Sequence, residues 1–191
     1  VRWVKGTALY TSAFTPPTAP LQPITNTKLL LSGNNGGVED SLGKRTFETD
    51  GNAQIDTTVK KFGSGSIEFD GTLDYLTATD TFDFSGDWTV EFWFNVSSLN
   101  KNHAFFIQAG PNWNWTSTGI QFAGWFDSIN RLGFNYFDGS SMTELAPTVT
   151  VSTNTWYYYS VVREGSRISL YLDGQRVGTT TNSMGAMSGS I

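Results

Sequence analysis

The sequence contains no cysteine and a single histidine, and these absences exclude several kinds of site. Without cysteine there is neither a disulfide framework nor a thiolate metal site. Because His103 is the one imidazole, any site that needs two imidazoles is excluded as well. The absence of disulfides favours a bacterial or viral surface protein over a secreted eukaryotic module. Apolar runs are only a few residues long, far short of the ~20 residues that span a bilayer.

Charged residues are scarce too, at 15% of the 191 residues, and the net charge is −5. No basic residues cluster, so nucleic acid and anionic membranes are excluded as primary partners, because both require a footprint of lysine and arginine. The sequence is rich instead in aromatic residues, at 15%, and in Thr, Ser, Asn and Gly. This composition predicts one β-rich extracellular domain with a buried core.

The hydrophobic pattern predicts strands from end to end. Every second residue of 88–96 is apolar, which is the period of a half-buried strand. Residues 167–172 alternate in the same way and end at Asp173-Gly174, a signal for a type I′ hairpin. Residues 156–162 are almost all apolar, which is typical of a central strand buried on both faces. Further strands are predicted at 66–69, 75–78, 104–108, 120–126, 132–137 and 148–151. No window has a helical period, so about ten short strands predict an antiparallel β-sandwich or barrel.

A proline-rich segment divides the chain. Four of the six prolines lie between residues 16 and 23, and proline lacks the backbone donor that a sheet requires. Residues 14–23 are therefore predicted to form an extended linker. It separates an N-terminal strand arm, residues 1–13, from a main domain, residues 24–191.

Several motifs of the main domain carry a resemblance to a known family. They are residues 61–71 (KFGSGSIEFDG), 74–76 (DYL), 87–93 (DWTVEFW), 154–156 (NTW) and 169–174 (SLYLDG). Together they resemble the concanavalin A-like (laminin G-like) jelly roll of the lectin/glucanase superfamily, which implies an antiparallel sandwich over roughly residues 24–180. The opening residues, 1–10, resemble a sequence common in jelly-roll proteins of marine tailed phages, where it forms the last strand of a jelly roll and the exit into the next domain.

This second resemblance gives the chain a closing strand at its start, while the main domain lacks its own. Three arrangements stay open: a window cut from a tandem array, an arm that folds back into its own sandwich, or an arm that completes a neighbouring copy by strand addition. An open sandwich exposes unpaired backbone groups and an apolar strip, which favours a partner strand. The predicted assembly residues of the arm are Arg2, Trp3, Val4, Ala8, Leu9, Tyr10 and Phe14.

The superfamily includes retaining β-glucanases, whose E-x-D-x-x-E strand places two carboxylates about 5 Å apart around the scissile bond. Residues 48–50 and 68–70 supply the first half of this motif, but Ala53 and Leu73 stand where the second glutamate is required. Glu91 is alone in its strand, on the face opposite the phenylalanines. A Ser–His–Asp site would need His103, which we expect to be exposed in a polar loop, and the sequence has no nucleophile elbow. No enzyme is predicted.

A calcium site is a second candidate, because many relatives bind this ion. Asp70, Asp74 and the carbonyls of residues 71–73 form an oxygen-rich turn of the kind that Ca²⁺ prefers. No dense D-x-D-x-D cluster is present, so further ligands would have to come from elsewhere. The structural alternative is that Asp70-Gly71 forms a hairpin turn and Asp74 caps the next strand.

Glycan binding is the third candidate. It rests on the loop of residues 110–119 and on Trp125, because sugar sites pair an aromatic platform with amide or carboxylate groups. The tryptophans of a Pro/Gly/Asn loop are costly to expose without a partner. Alternatively, they fold under the loop or pack on a neighbouring subunit. The predicted carbohydrate-binding residues are Trp113, Asn114, Trp115 and Trp125.

The sequence thus predicts a non-enzymatic structural and adhesive module of an extracellular or virion appendage. Its partners would be copies of itself or neighbouring jelly-roll domains, together with cell-surface glycans. The alternatives are a soluble lectin domain and, more remotely, a β-glucan hydrolase. No cofactor is predicted beyond the calcium candidate.

Overall fold

The fold is seen in a computed structural model, which describes residues 1–34, 37–78, 83–109, 120–137 and 141–181. These residues form fifteen strands, and none of them forms a helix long and apolar enough to cross a membrane. The strands are β1 (Arg2–Lys5), β2 (Thr27–Asn34), β3 (Gly37–Asp40), β4 (Glu48–Asp50), β5 (Gln54–Asp56), β6 (Ser66–Glu68), β7 (Tyr75–Thr77), β8 (Trp88–Phe94), β9 (His103–Ala109), β10 (Ile120–Phe126), β11 (Leu132–Phe137), β12 (Met142–Leu145), β13 (Tyr157–Glu164), β14 (Arg167–Leu172) and β15 (Gln175–Thr181).

Two antiparallel sheets pack face to face. The larger sheet has seven strands in the order β15-β14-β13-β8-β1-β2-β3, and the smaller has four in the order β12-β11-β10-β9. Two short ribbons, β4-β7 and β5-β6, complete the described strands, and the second of them contacts β2 and β3. The predicted all-β antiparallel sandwich is confirmed.

The core lies between the two sheets and follows the predicted alternation. On β8, every second side chain from Trp88 to Phe94 is buried in the core. Each such aliphatic or aromatic side chain stabilises the fold by about 1.5–3 kcal/mol when it is fully buried. The facing side chains of the smaller sheet include Phe122, Phe126, Leu132, Phe134 and Tyr136.

The hairpin between β14 and β15 has the predicted turn. Asp173 and Gly174 have φ values of 48° and 77°, as a type I′ turn requires at its two central positions. Gly174 is also buried under the backbone of Phe14, and a Cβ there would collide with the carbonyl group of that residue. The predicted central strand is β13, which lies between β8 and β14, and its middle residues are buried on both faces.

The prediction of a strand at residues 148–151 is wrong. This segment forms a single bridge, between Thr148 and Arg131, although Val149 and Val151 are buried. A short apolar segment that packs under a sheet edge has the same composition as a strand, so its pattern did not separate the two. The strands that the pattern missed are β2, β3, β4, β5, β12 and β15.

The N-terminal arm forms a strand of the chain's own larger sheet. β1 lies between β2 and β8 and pairs antiparallel with both. On the inner face, the ring of Trp3 stacks on Phe84 at 5.2 Å, and on the outer face Val4 is fully buried. Of the three arrangements considered, the structure shows self-closure within one chain. Completion of a neighbouring sandwich stays a prediction.

A long excursion joins β1 to β2, although the two strands are neighbours. Residues 7–14, which we name the covering segment, cross the outer face of the larger sheet from β8 to the β14–β15 turn. The predicted linker brings the chain back to β2, and on this path the Arg2 guanidinium donates to the carbonyl of Gln22 at 2.8 Å. The proline-rich segment therefore connects two adjacent strands of one sheet.

Candidate functional site

The predicted carbohydrate-binding residues Trp113, Asn114 and Trp115 lie outside the described residues. Trp125, by contrast, is described, and it lies near the end of β10. Trp125 is five positions after Ile120, the first residue of β10, where residues 110–119 join the strand. At about 3.3 Å per residue, Trp125 is therefore roughly 16 Å from that end of the strand.

Trp125 is packed on the outer face of the smaller sheet and is only 8% exposed. Its indole N–H donates to Asn135 Oδ1 at 3.0 Å. The indole ring lies directly over Gly133, where a Cβ would come within 2.5 Å of ring atom Cδ2. The Arg131 guanidinium carbon lies over the ring, 5.3 Å from its centroid. The ring is thus packed against Gly133 and covered by Arg131, so it would serve as a sugar platform only if Arg131 moved aside.

Two carboxylates hold Arg131 over that ring. Its side chain donates to Asp127 at 2.7 Å and to Glu144 at 2.9 Å. Burial alone would raise the pKa of Asp127, but hydrogen bonds from the backbone and side chain of Arg131 lower it overall. The tryptophan is therefore fixed by an amide, a cation and a glycine of the same sheet.

The predicted metal residues Asp70 and Asp74 belong to two turns that are bonded to each other, residues 50–52 and 70–74, which we name the double turn. Each carboxylate oxygen accepts a hydrogen bond from a nearby N–H group. The bonds are Thr72 N–H to Asp70 Oδ1 (2.7 Å), Asn52 Nδ2–H to Asp70 Oδ2 (3.0 Å), Asn52 N–H to Asp74 Oδ1 (2.9 Å) and Asp70 N–H to Asp74 Oδ2 (2.6 Å). The side-chain bond from Asn52 is the main cause that lowers the pKa of Asp70.

Backbone conformation explains why the two turns approach so closely. Gly51 has a φ of 70°, and a Cβ there would lie 2.9 Å from the carbonyl oxygen of Leu73. Leu73 itself has a φ of 61°, which is uncommon for a residue with a branched side chain. Glycine at position 51 thus permits the contact, and the bonds to Asp74 hold it in place.

This arrangement does not fit a resident calcium ion. Each carboxylate oxygen of Asp70 and Asp74 accepts one hydrogen bond and keeps a further lone pair, but two carboxylates are too few ligands for Ca²⁺, which takes about six to eight oxygens. Within the described ranges, moreover, no group of three or more acidic, histidine or cysteine side chains could hold a metal ion. Both aspartates therefore close turns in this structure. The alternative that Asp70-Gly71 forms a hairpin turn is wrong, because β6 pairs with β5 and β7 pairs with β4.

Three large apolar side chains project from the double turn into solvent. Phe69 is 48% exposed, Tyr75 is 50% exposed and Leu73 is 84% exposed. The bond from Asp70 N–H to the Asp74 carboxylate closes the loop between them, and Phe69 and Tyr75 are the residues directly before and after this loop. Two half-exposed rings are therefore adjacent in the chain to the two carboxylates. Sequence reasoning missed this surface because it considered the turn only as a metal site.

Glu91 differs most from its predicted surroundings. It does lie on the face of β8 opposite the core, but it is fully buried there. Arg2 donates to its Oε1 at 2.6 Å, while the hydroxyls of Tyr10 (2.7 Å) and Tyr158 donate to its Oε2. Burial, followed by the charge of Glu91, raises the pKa of both tyrosines. The carboxylate is thus a structural ion-pair centre under the covering segment.

The prediction that His103 is exposed in a loop is wrong. It is the first residue of β9, partly buried, and pairs with Phe126 of β10. Its Nε2 lies 2.9 Å from the carbonyl oxygen of Ser98. The polar residues before it end the preceding loop, and the apolar run of β9 begins directly after it.

Comparison with known families agrees with this geometry. Residues 70–189, well over half of the chain, match the model of the concanavalin A-like lectin/glucanases superfamily. The chain belongs to this superfamily. The resemblance that the motifs carry is therefore confirmed for this concanavalin A-like chain. Among curated proteins, none matches its sequence.

Several solved structures are similar to this chain. The binding domain of botulinum neurotoxin DC, in complex with SialylT, has a TM-score of 0.57 and 14% identity, over 85% of this chain and 41% of that one. The Bacillus subtilis module CBM66 has a TM-score of 0.48 and 16% identity, over 77% and 86%. The CBM40 of the Ruminococcus gnavus IT-sialidase, bound to α2,3-sialyllactose, has a TM-score of 0.44 and 11% identity, over 54% and 63%. The chain thus spans less than two thirds of the first and third of these. At 14% identity the likeness to the botulinum binding domain shows the fold alone.

Proposed function

We propose that this concanavalin A-like chain is a non-catalytic carbohydrate-binding module. The observation that carries the proposal is the exposed surface of the double turn, where Phe69 and Tyr75 flank hydrogen-bonding groups. The superfamily includes lectins, and the botulinum binding domain with the same fold was solved in complex with SialylT. These relationships support a glycan ligand at the level of the fold.

The chemistry of this surface suits a sugar ring. A pyranose has an apolar face, which packs on an aromatic side chain, and a rim of hydroxyls, which requires donors and acceptors. The rings of Phe69 and Tyr75 supply the first, while Asn52, Asp70 and Asp74 supply the second. Because the double turn is already fixed by its own hydrogen bonds, little ordering entropy is lost on binding.

A non-catalytic role is supported by the state of the carboxylates. Glu91, which faces away from the core on the long strand β8, is engaged by Arg2, Tyr10 and Tyr158 beneath the covering segment. Glu68 is exposed and accepts a hydrogen bond from Gln54 at 3.2 Å. Retaining hydrolysis requires one carboxylate that attacks and one that donates a proton on either side of the bond. The chain's E-x-D segments lack the second glutamate of that motif.

The test is a glycan array followed by calorimetry on the strongest ligand. Phe69→Ala and Tyr75→Ala are each expected to weaken binding at least about tenfold, which corresponds to about 1.4 kcal/mol. Ile129→Ala is the matched control, because this side chain is also large and 65% exposed but lies between β10 and β11. Absence of binding to any glycan, or equal binding by all three variants, would contradict the proposal.

We also propose a second function, as a structural module that assembles with copies of itself on an extracellular or virion appendage. It is supported by the position of β1, a central strand of the sheet that is attached through a long proline-rich excursion. Light scattering on the native protein tests this proposal. A polymer is expected, and a monomer at all concentrations would contradict it.

A further inference from the structure

The outer face of the larger sheet carries hydrogen-bonding and aromatic side chains that converge on the covering segment, residues 7–14. We infer that this face is a peptide-binding groove, and that its partner in an assembly is the covering segment of a second copy of this chain. In the structure the chain's own segment fills the groove. The inference rests on the assembly proposal and is independent of the carbohydrate-binding proposal.

The main chain of the covering segment is bound along its length. β8, β14, the β14–β15 turn and β15 each contribute a partner to its peptide groups. The bonds are Leu9 N–H to Thr89 Oγ1 (3.0 Å), Thr89 Oγ1–H to the Thr7 carbonyl (3.1 Å), Tyr171 O–H to the Tyr10 carbonyl (3.1 Å), the Arg176 guanidinium to the Thr11 carbonyl, and Phe14 N–H to the Gly174 carbonyl (3.0 Å). Because they involve peptide groups, these bonds fix the path of the segment, which bends at residues 11–12.

Two side chains of the segment supply specificity. The rings of Tyr10 and Phe14 stack on each other at 3.5 Å with an angle of 7°. Phe14 also packs edge-on against Tyr171 at 5.4 Å and Tyr158 at 6.1 Å, while the Tyr10 hydroxyl donates to Glu91 at 2.7 Å. Aromatic pairs of this kind contribute affinity beyond their buried area. The groove therefore recognises a tyrosine and a phenylalanine four residues apart.

The polar centre of the groove depends on that tyrosine. Glu91 is fully buried, and its Oε2 is bonded to the hydroxyls of Tyr10 and Tyr158. A sheet without β1 and the covering segment would lose the donors of both Arg2 and Tyr10 and would expose Glu91 to water. An arm that brings back both an arginine and a tyrosine restores the ion pair and the hydrogen bond together.

A second copy is the partner that reproduces all of these contacts. β1 and the covering segment would be exchanged together, because withdrawal of β1 exposes the edges of β8 and β2. The contacts in an exchanged pair are the same as those in the closed chain. The free-energy cost of exchange therefore lies in the conformational change of the hinge. The hinge would be residues 16–23, whose prolines favour an extended form of about 3.1 Å per residue, and hence a reach of about 25 Å.

Engineered cysteines test the exchange in the full chain, which has no cysteine of its own. Ala13 and Gln175 are exposed and flank the bond between Phe14 N–H and the Gly174 carbonyl. Chains with Ala13→Cys and chains with Gln175→Cys are unfolded, refolded together at high concentration and oxidised. Intact-mass spectrometry then measures the mixed disulfide dimer, with Ile129→Cys in place of Ala13→Cys as the control for random pairing.

We expect a mixed dimer at least about tenfold above the control, and its loss when Tyr10→Ala and Phe14→Ala are added to the Ala13→Cys chain. A mixed dimer at the control level overturns the inference; if the native protein is still an oligomer, assembly stands through another surface. A single chain with both cysteines should close its own disulfide in the monomer. Its failure to do so overturns the placement of the covering segment itself.

Discussion

Glu91→Gln is the substitution that tests the buried ion pair most directly. It preserves the shape of the side chain but removes the charge, so the Arg2 guanidinium, whose side chain is 9% exposed, loses its counter-ion. Removal of one partner from a buried pair costs about 3–5 kcal/mol. We expect about 3 kcal/mol, because the amide oxygen keeps one acceptor. In a chain of this size, each kcal/mol lowers Tm by about 2–4 °C, so Tm should fall by about 6–12 °C.

Equilibrium denaturation in urea, followed by tryptophan fluorescence and calorimetry, measures this loss. Glu68→Gln is the control, since Glu68 is exposed and its replacement should change the free energy of unfolding by less than about 0.5 kcal/mol. The double variant Arg2→Met/Glu91→Leu should recover only part of the loss, because it removes both charges but leaves the hydroxyls of Tyr10 and Tyr158 without their acceptor. A loss below about 1 kcal/mol for Glu91→Gln would refute the view that Arg2 depends on this carboxylate.

Three further predictions follow from the packing described above. Gly133→Ala should displace the Trp125 indole and cost about 1–3 kcal/mol, read from denaturation and near-UV circular dichroism; an unchanged aromatic signal would contradict it. Asp74→Ala should remove the acceptor that closes the double turn and accelerate limited proteolysis near residue 70, and an unaltered cleavage rate would count against that role. Burial and Glu91 raise the pKa of Tyr10 above its ordinary value of 10.0, so the stability that Tyr10 contributes is present below pH 10 and is lost as the pH rises further. Between pH 8 and 11 the wild type should therefore lose more stability than Tyr10→Phe, and parallel curves would contradict this assignment.

The parts of the fold that the sequence predicts are those fixed by local pattern. Apolar and polar residues alternate in β8 and β14, and most residues of β13 are apolar or aromatic. The Asp-Gly pair requires positive φ, so each of these features is visible within about ten residues of sequence. β15 was missed because it is an edge strand of polar residues without a repeating apolar position. Its place is set by the hairpin and not by its own composition.

The burial of Glu91 could not be read in the same way. Its position on the outer face of β8 was correct, and an exposed carboxylate is the usual state on such a face. It is buried because Tyr10, 81 residues earlier in the chain, lies on top of it. Trp125 is a similar case, since its cover is the Arg131 side chain of the next strand connection. Contacts between distant segments decide both, and single-sequence periodicity carries no information about them.

The position of β1 in the sheet also determines when this strand can pair during synthesis. Arg2 of β1 precedes its hydrogen-bond partner, Glu91 of β8, by 89 residues. At a synthesis rate of about 5–20 residues per second, the arm waits about 4–18 seconds on the ribosome before β8 has been made. Pairing between such distant segments is intrinsically slow, so closure of the sheet around β1 is expected to come late in folding. If β1 is exchanged between copies as proposed above, polysome density is expected to raise the exchanged fraction, because neighbouring chains are then close together throughout that interval.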